Sequence, residues 1–145
     1  YWGYQYPDHF EDEEFIANMI PEEDLQPGQP RLLATDFDIV VPVDKVVKVQ
    51  TTAADVIHNW AIPSFGVKMD AVPGRLNETW FQATVEGTYY GQCSELCGFR
   101  HAFMPITVKV VSEREFNAWV AQQRSELGLA DAAAEDADAQ LALAK

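Results

Sequence analysis

The chain has 145 residues, 48% of them hydrophobic, and carries a formal net charge of −13. That length is one ordinary domain, able to bury a core without disulfide staples. The charge argues against a nucleic-acid partner, and no run approaches the roughly 20 apolar residues that a membrane helix needs. The acidity sits at the ends: residues 1–24 hold eight acids and no Lys or Arg, and residues 125–145 hold five acids and one Lys, so the body between them is nearly neutral. The chain opens on Tyr1 inside an aromatic cluster, YWGYQY, with no initiator Met, which is the pattern of a piece of something longer.

Residues 1–30 mix aromatics, acids and four prolines, and read as a lead-in packed along the domain, with one short helical turn over 13–19. From Leu32 the texture changes to short β-branched runs, LLAT, IVVPV and VVKVQTT. Further strands are predicted over 55–62, 78–85, 88–92 and 105–111, with turns at Pro63, Pro73-Gly74 and Glu86-Gly87. About seven short strands with turn residues between them specify an all-β sandwich or Greek-key barrel. The last strand alternates cleanly, with Ile106, Val108 and Val110 on one face.

Ser112 then opens SERE, a capping box, and a helix to about Gly128 docks through Phe116, Trp119 and Val120. Full burial of Trp119 would contribute up to about 4–6 kcal/mol. The domain proper is therefore set at 31–128. The Ala- and Asp-rich stretch 129–145 has no apolar stripe and reads as a solvated tail.

The chemistry lies in GQCSELCGFRHAFM, residues 91–104, which holds both cysteines of the chain. Cys93, Cys97, His101 and Met104 follow C-x3-C-x3-H-x2-M, a soft set of two thiols, an imidazole and a thioether that suits copper. Gly91, Gly98 and Pro105 argue for a loop between two strands rather than a helix. His58, in the strand pattern DVIHNW, supplies a second imidazole.

Five side chains are one too many for a single tetrahedral ion. If both thiolates bridge two coppers, one added backbone carbonyl completes two four-coordinate ions. A plain Cys93–Cys97 disulfide and a Cys2His2 zinc site remain open, the second leaving Met104 idle. His9, among acids without soft ligands, reads as a surface histidine, and Met19 and Met69 read as packing residues.

The segments DVIHNWAIP, GVKMDAVPGR and YYGQCSELCGFRHAFMPI, with YWGYQYP and PRLLATD as weaker outliers, resemble the copper-binding periplasmic domain of cytochrome c oxidase subunit II, which holds the binuclear CuA centre. The resemblance implies a cupredoxin-like fold with one C-terminal helix. It implies that Cys93 and Cys97 bridge two Cu ions, that His58 and His101 bind one each, and that Met104 and the Glu95 main-chain carbonyl complete the site. The Glu95 carboxylate is then expected to reach a Mg or Mn ion at the boundary with subunit I.

Also implied are electron transfer from cytochrome c, docked at Asp36 and Asp55, to haem a of subunit I in an oxidase reducing dioxygen. Asp70 and Arg75 would face subunit I, Arg100 would lie on the exit route, and Trp2 would lie on the entry path. The family's entry tryptophan falls one position before Tyr1, and Gln5 and Ala54 replace two frequent acids of the docking surface. The location implied is the periplasmic face of a bacterial inner membrane, or the mitochondrial intermembrane space, behind an upstream anchor. The CuA domain of a nitrous-oxide reductase shares the cysteine motif, and a copper carrier or a structural zinc domain are readings from other classes.

Overall fold

The computed structural model describes residues 1–129. Nine strands and two helices follow one another as β1 (Trp2–Gln5), α1 (Pro7–Phe10), β2 (Glu14–Ala17), β3 (Ile39–Pro42), β4 (Val46–Thr51), β5 (His58–Ile62), β6 (Val67–Ala71), β7 (Asn77–Gln82), β8 (Gly87–Gln92), β9 (Pro105–Val111) and α2 (Glu113–Glu126). The strands form antiparallel pairs β1–β2, β4–β7 and β5–β6 and a three-stranded sheet in the order β3-β9-β8, in which only β3 and β9 run parallel. β5 packs beside β8, and β6 beside β7, so the pairs adjoin one another around one core.

Period-2 alternation decides what is buried. In β4, Val47 and Val49 point inward between Val46 and Lys48; in β9, Ile106, Val108 and Val110 are buried. Trp60 and Ile62 of β5 and Phe81 of β7 complete the middle of the core. Gly91 sets the approach of β8 to β5. A Cβ there would lie 2.0 Å from the Ala61 carbonyl oxygen and 2.9 Å from Ile62, so no other residue lets the two backbones come this close.

The first thirty residues contribute more than a lead-in. Trp2, Tyr4 and Tyr6 are all fully buried, each two residues from the next, which is a strand signal that the surrounding acids and prolines conceal. The stretch expected to make a helical turn over 13–19 is instead β2, paired in register with β1, because Phe15 and Ala17 turn inward while Glu14 and Ile16 turn out. The Tyr6 hydroxyl accepts from the Val40 backbone N–H at 2.9 Å and donates to its carbonyl at 3.3 Å, blocking the free edge of β3.

Three further expectations change. LLAT is not a strand: Leu32 sits at φ 67 in a turn, and only Thr35 makes a single bridge, to Met19. β6 lies where no strand was assigned, although Val67, Met69 and Ala71 alternate with Lys68 and Asp70. The strand expected from residue 55 begins at His58, after a bend that leaves Val56 and Ile57 exposed.

α2 opens on the expected capping box, with Ser112 Oγ accepting from the Glu115 N–H at 3.2 Å and Glu115 Oε2 accepting from the Ser112 N–H at 3.2 Å. Phe116 is fully buried, whereas Trp119 and Val120 are only partly so, which makes full burial an overestimate for Trp119. Trp119 closes an aromatic cluster with Tyr6, at 5.2 Å between ring centroids, and Phe10, at 5.5 Å. His9 is no surface histidine. Its ring stands edge-on to Phe116 at 5.3 Å, burial leaves Nε2 without a partner, and that burial lowers its pKa from the usual 6.5. Leu129 packs on the core beside α2, so ordered packing continues one residue past the expected boundary; the rest of the expected tail lies outside the described residues.

Candidate metal centre

The site is assembled from three places in the chain. β5 presents His58 at its first position, β8 runs directly into Cys93, and the loop from there to β9 supplies Glu95, Cys97, His101 and Met104. Gly98, at φ 135, turns the loop where any side chain would be strained, and only His101–Phe103 form a single 3-10 turn. The helical alternative for the loop is thereby excluded.

Backbone bonds fasten the loop at its base. The Ser94 N–H donates to the Asn59 carbonyl at 3.0 Å, tying the loop to β5. The Met104 carbonyl accepts from the Cys93 N–H at 3.3 Å and from the Trp2 indole N–H at 3.2 Å. Both its lone pairs are thus used, and the Trp2 bond joins the second residue of the chain to the last residue of the loop. Trp2 also meets the His58 ring edge-on, 5.9 Å between centroids.

The donors converge. Cys93 Sγ lies 3.8 Å from Cys97 Sγ, well beyond the ~2.05 Å of a disulfide, and both cysteines are free. Cys93 Sγ is 3.9 Å from His58 Nδ1 and 3.4 Å from the Glu95 carbonyl oxygen. Cys97 Sγ is 3.6 Å from His101 Nδ1 and 3.6 Å from Met104 Sδ. Each sulfur therefore has its own imidazole and its own weak donor. His58, Cys93 and Cys97 offer ligand atoms all within 4.8 Å of one another and form a candidate metal site; His101 falls outside that trio, on the far side of Cys97. The donor set fits soft metal ions held between two sulfurs, and two such ions use every donor present.

Burial, with Cys93 close by, pushes the Cys97 thiol up to about 11. A cation must therefore displace its proton to bind. Cys93 and Met104 are buried, while His58 and Cys97 are partly covered. Around them Leu96, Phe99, Phe103, Val56 and Ile57 are exposed, Phe99 at 94%, in alternation with the donors.

The other residues singled out from sequence take varied places. Asp55 Oδ1 lies 2.8 Å from His58 Nε2, and this bond, with the Val56 N–H, holds the Asp55 carboxyl below the usual carboxylate range. That contact was not legible in the sequence, because the bend at 55–57 and not a strand brings Asp55 back over the ring. Asp36 accepts from the Asn18 N–H at 2.7 Å and fixes the end of the N-terminal hairpin. Asp70 accepts from Asn59 Nδ2 at 2.6 Å, one residue from His58. Arg75, Glu95 and Arg100 are exposed.

Comparison with known proteins agrees with this architecture. Residues 1–111 match the family model of the cytochrome c oxidase subunit II periplasmic domain. The chain is 55% identical over 123 residues to a probable cytochrome c oxidase subunit 2 of Rickettsia bellii, covering 85% of this chain and 45% of the relative. It is 54% identical to cytochrome c oxidase subunit 2 of Cereibacter sphaeroides, covering 86% of this chain and 46% of the relative. The chain thus spans less than half the length of these relatives.

Among solved structures, the periplasmic domain of cytochrome oxidase subunit II of Bradyrhizobium japonicum superposes with a TM-score of 0.79 at 56% identity, over 87% of each chain. A mixed-disulfide intermediate between a thioredoxin-like protein and cytochrome c oxidase subunit II matches with a TM-score of 0.72 at 55% identity, over 87% of this chain and 84% of that one. With its cupredoxin-like strands, its single C-terminal helix and a match that runs from Tyr1 to Val111, the chain belongs to the family of the cytochrome c oxidase subunit II periplasmic domain.

Proposed function

We propose that this domain holds a binuclear copper centre and relays electrons from cytochrome c to haem a in subunit I of a terminal oxidase that reduces dioxygen to water. The observation that carries the reading is the pair of free sulfurs 3.8 Å apart, each flanked by its own imidazole Nδ1. In this reading Cys93 and Cys97 would hold both ions, His58 and His101 would hold one each, and Met104 and the Glu95 carbonyl would complete the donor set.

When bound, a copper pair between these sulfurs supplies a one-electron relay in which the transferred charge is shared. The residues do the rest. Two thiolates offset most of the cationic charge, so neither redox state is costly to bury. His58 is fixed by its strand, and the buried Met104 and Trp2 side chains keep water from one end of the site. Ligands so held move little between states, which favours fast transfer at low driving force.

The exposed apolar residues between the donors support a docking face, since a soluble surface rarely concentrates Leu96, Phe99 and Phe103 in one loop without a partner. Subunit I is the occupant this reading assigns, with Asp70, Arg75 and Arg100 beside it and the Glu95 carboxylate reaching a Mg or Mn ion there. Among the described residues no helix is long and apolar enough to cross a membrane, so attachment to subunit I and to an upstream anchor on the periplasmic face belongs to the proposal.

Before metal enters, both thiols must be reduced. The partly covered Cys97 is the more accessible sulfur, and the mixed disulfide of a related domain with a thioredoxin-like protein supports a reductive step of that class here.

Metal analysis with EPR tests the reading. Two coppers per chain and a seven-line hyperfine pattern are expected, and Cys97→Ser should abolish both. A colourless zinc protein, or an unchanged purple spectrum in Cys97→Ser, would overturn it.

A further inference from the structure

His58 is held from both sides of its ring. Nδ1 faces Cys93 Sγ at 3.9 Å, and Nε2 faces Asp55 Oδ1 at 2.8 Å. An ionised carboxylate only accepts hydrogen bonds, so this contact requires the proton on Nε2. A neutral imidazole protonated there carries its lone pair on Nδ1, aimed at the sulfurs. His101 has no such brace among the described residues: its Nδ1 faces Cys97 Sγ at 3.6 Å, and no carboxylate reaches its ring.

The brace is also exposed. The Asp55 side chain is 72% accessible while the His58 side chain is 14% accessible, so a carboxylate that touches a covered ring is itself open to solvent. The bend ahead of β5 creates this arrangement, by folding residue 55 back over the first residue of the strand. Val56 and Ile57, exposed on the same bend, place apolar surface next to the charge.

We propose that Asp55 is a positioning residue that couples the outer surface to the metal centre: it fixes the His58 tautomer, and a cationic group pairing with its exposed carboxylate raises the reduction potential. The inference rests on the copper reading above. The sign follows from charge. A carboxylate hydrogen-bonded to a ligand imidazole makes that ligand more basic and favours the more positive, oxidised state. A cation on Asp55 cancels part of this effect and favours the reduced state. A cationic donor docked there would make the centre a better acceptor at the moment of transfer, and its departure would reverse the shift.

Two measurements test the proposal. In the copper-free protein, long-range nitrogen-15 NMR of the imidazoles should find His58 as the Nε2–H tautomer, with Asp55→Ala moving it toward a mixture and leaving His101 unchanged. No change at His58 would overturn the positioning role. In the copper-loaded protein at low ionic strength, voltammetry should give a higher potential for Asp55→Ala than for wild type. Added trilysine should shift the wild type upward and leave Asp55→Ala unmoved. An equal trilysine response in the two proteins would overturn the coupling. If no two-copper spectrum forms at all, the copper reading fails, and the NMR measurement still decides whether Asp55 positions His58.

Discussion

The two ends of the metal centre are built differently. The His58 end is braced: a strand carries the imidazole, Asp55 holds its outer nitrogen, Trp2 lies edge-on to its face, and Asn59 next to it accepts the Ser94 N–H of the loop. The His101 end is borne by a single 3-10 turn after Gly98, beside exposed Phe99 and Phe103, and among the described residues its ring has a hydrogen-bonding partner in Cys97 Sγ and no carboxylate brace. One end is therefore continuous with the core and the other with the surface. Under the proposed function the difference places rigidity in β5 and recognition in the loop, two demands that a single rigid hairpin would set against each other.

The largest effect should come from breaking the braced end. Gly91→Ala places a Cβ against the Ala61 carbonyl, and since backbone cannot swing aside as a side chain does, β8 must withdraw from β5. A loss of about 3 kcal/mol is expected in urea unfolding of the metal-free protein, with weakened copper uptake, because Cys93 moves away from His58.

Trp2→Phe keeps an aromatic ring in the core but removes the donor to the Met104 carbonyl. About 1–2 kcal/mol should be lost in the same assay. The Met104 contribution to the visible spectrum should change more than that of His101.

Away from the metal, His9 supplies a pH test. Burial disfavours its charged form, so its folded pKa lies below the 6.5 of the unfolded chain. Above 6.5 the ring is neutral in both states and costs nothing. As pH falls below 6.5 the unfolded state takes up the proton first, and stability falls until the folded pKa is reached. Wild type should therefore lose stability from pH 7 to pH 5 more steeply than His9→Phe, and parallel curves would remove His9 from the account.

The smallest effect belongs to the loop end. Phe99→Ser should change stability by no more than about 0.5 kcal/mol, because the ring touches almost nothing, while slowing assembly with the partner subunit if the loop is the recognition face.

The candidate site was legible where chemistry and spacing coincide. C-x3-C-x3-H-x2-M cannot be explained by packing, and His58 stood out as an imidazole inside a strand pattern. Asp55 was legible as a charge and not as a brace, since the strand pattern ran through it and hid the bend. In the fold, β9 and the α2 cap were readable because one period and one capping rule applied without competition. β1 and β2 were not, because Pro7 and a run of acids broke up the alternation of Trp2, Tyr4 and Tyr6, whose burial depends on β3 and α2 far along the chain. Trp2 was singled out for electron entry, and nothing local indicates that its indole N–H would close the loop from a distance of 102 residues.

That last bond bears on how the protein folds. Its two ends, and the 35-residue separation of His58 and Cys93, make the centre a product of distant contacts, whose loop-closure entropy must be met before they form. The loop by itself has sulfur and imidazole enough to catch a stray ion, yet its full donor set exists only after the first and middle strands have joined it. Metal uptake at full affinity is thus expected only once the first and middle strands, and not the loop alone, have reached their native arrangement.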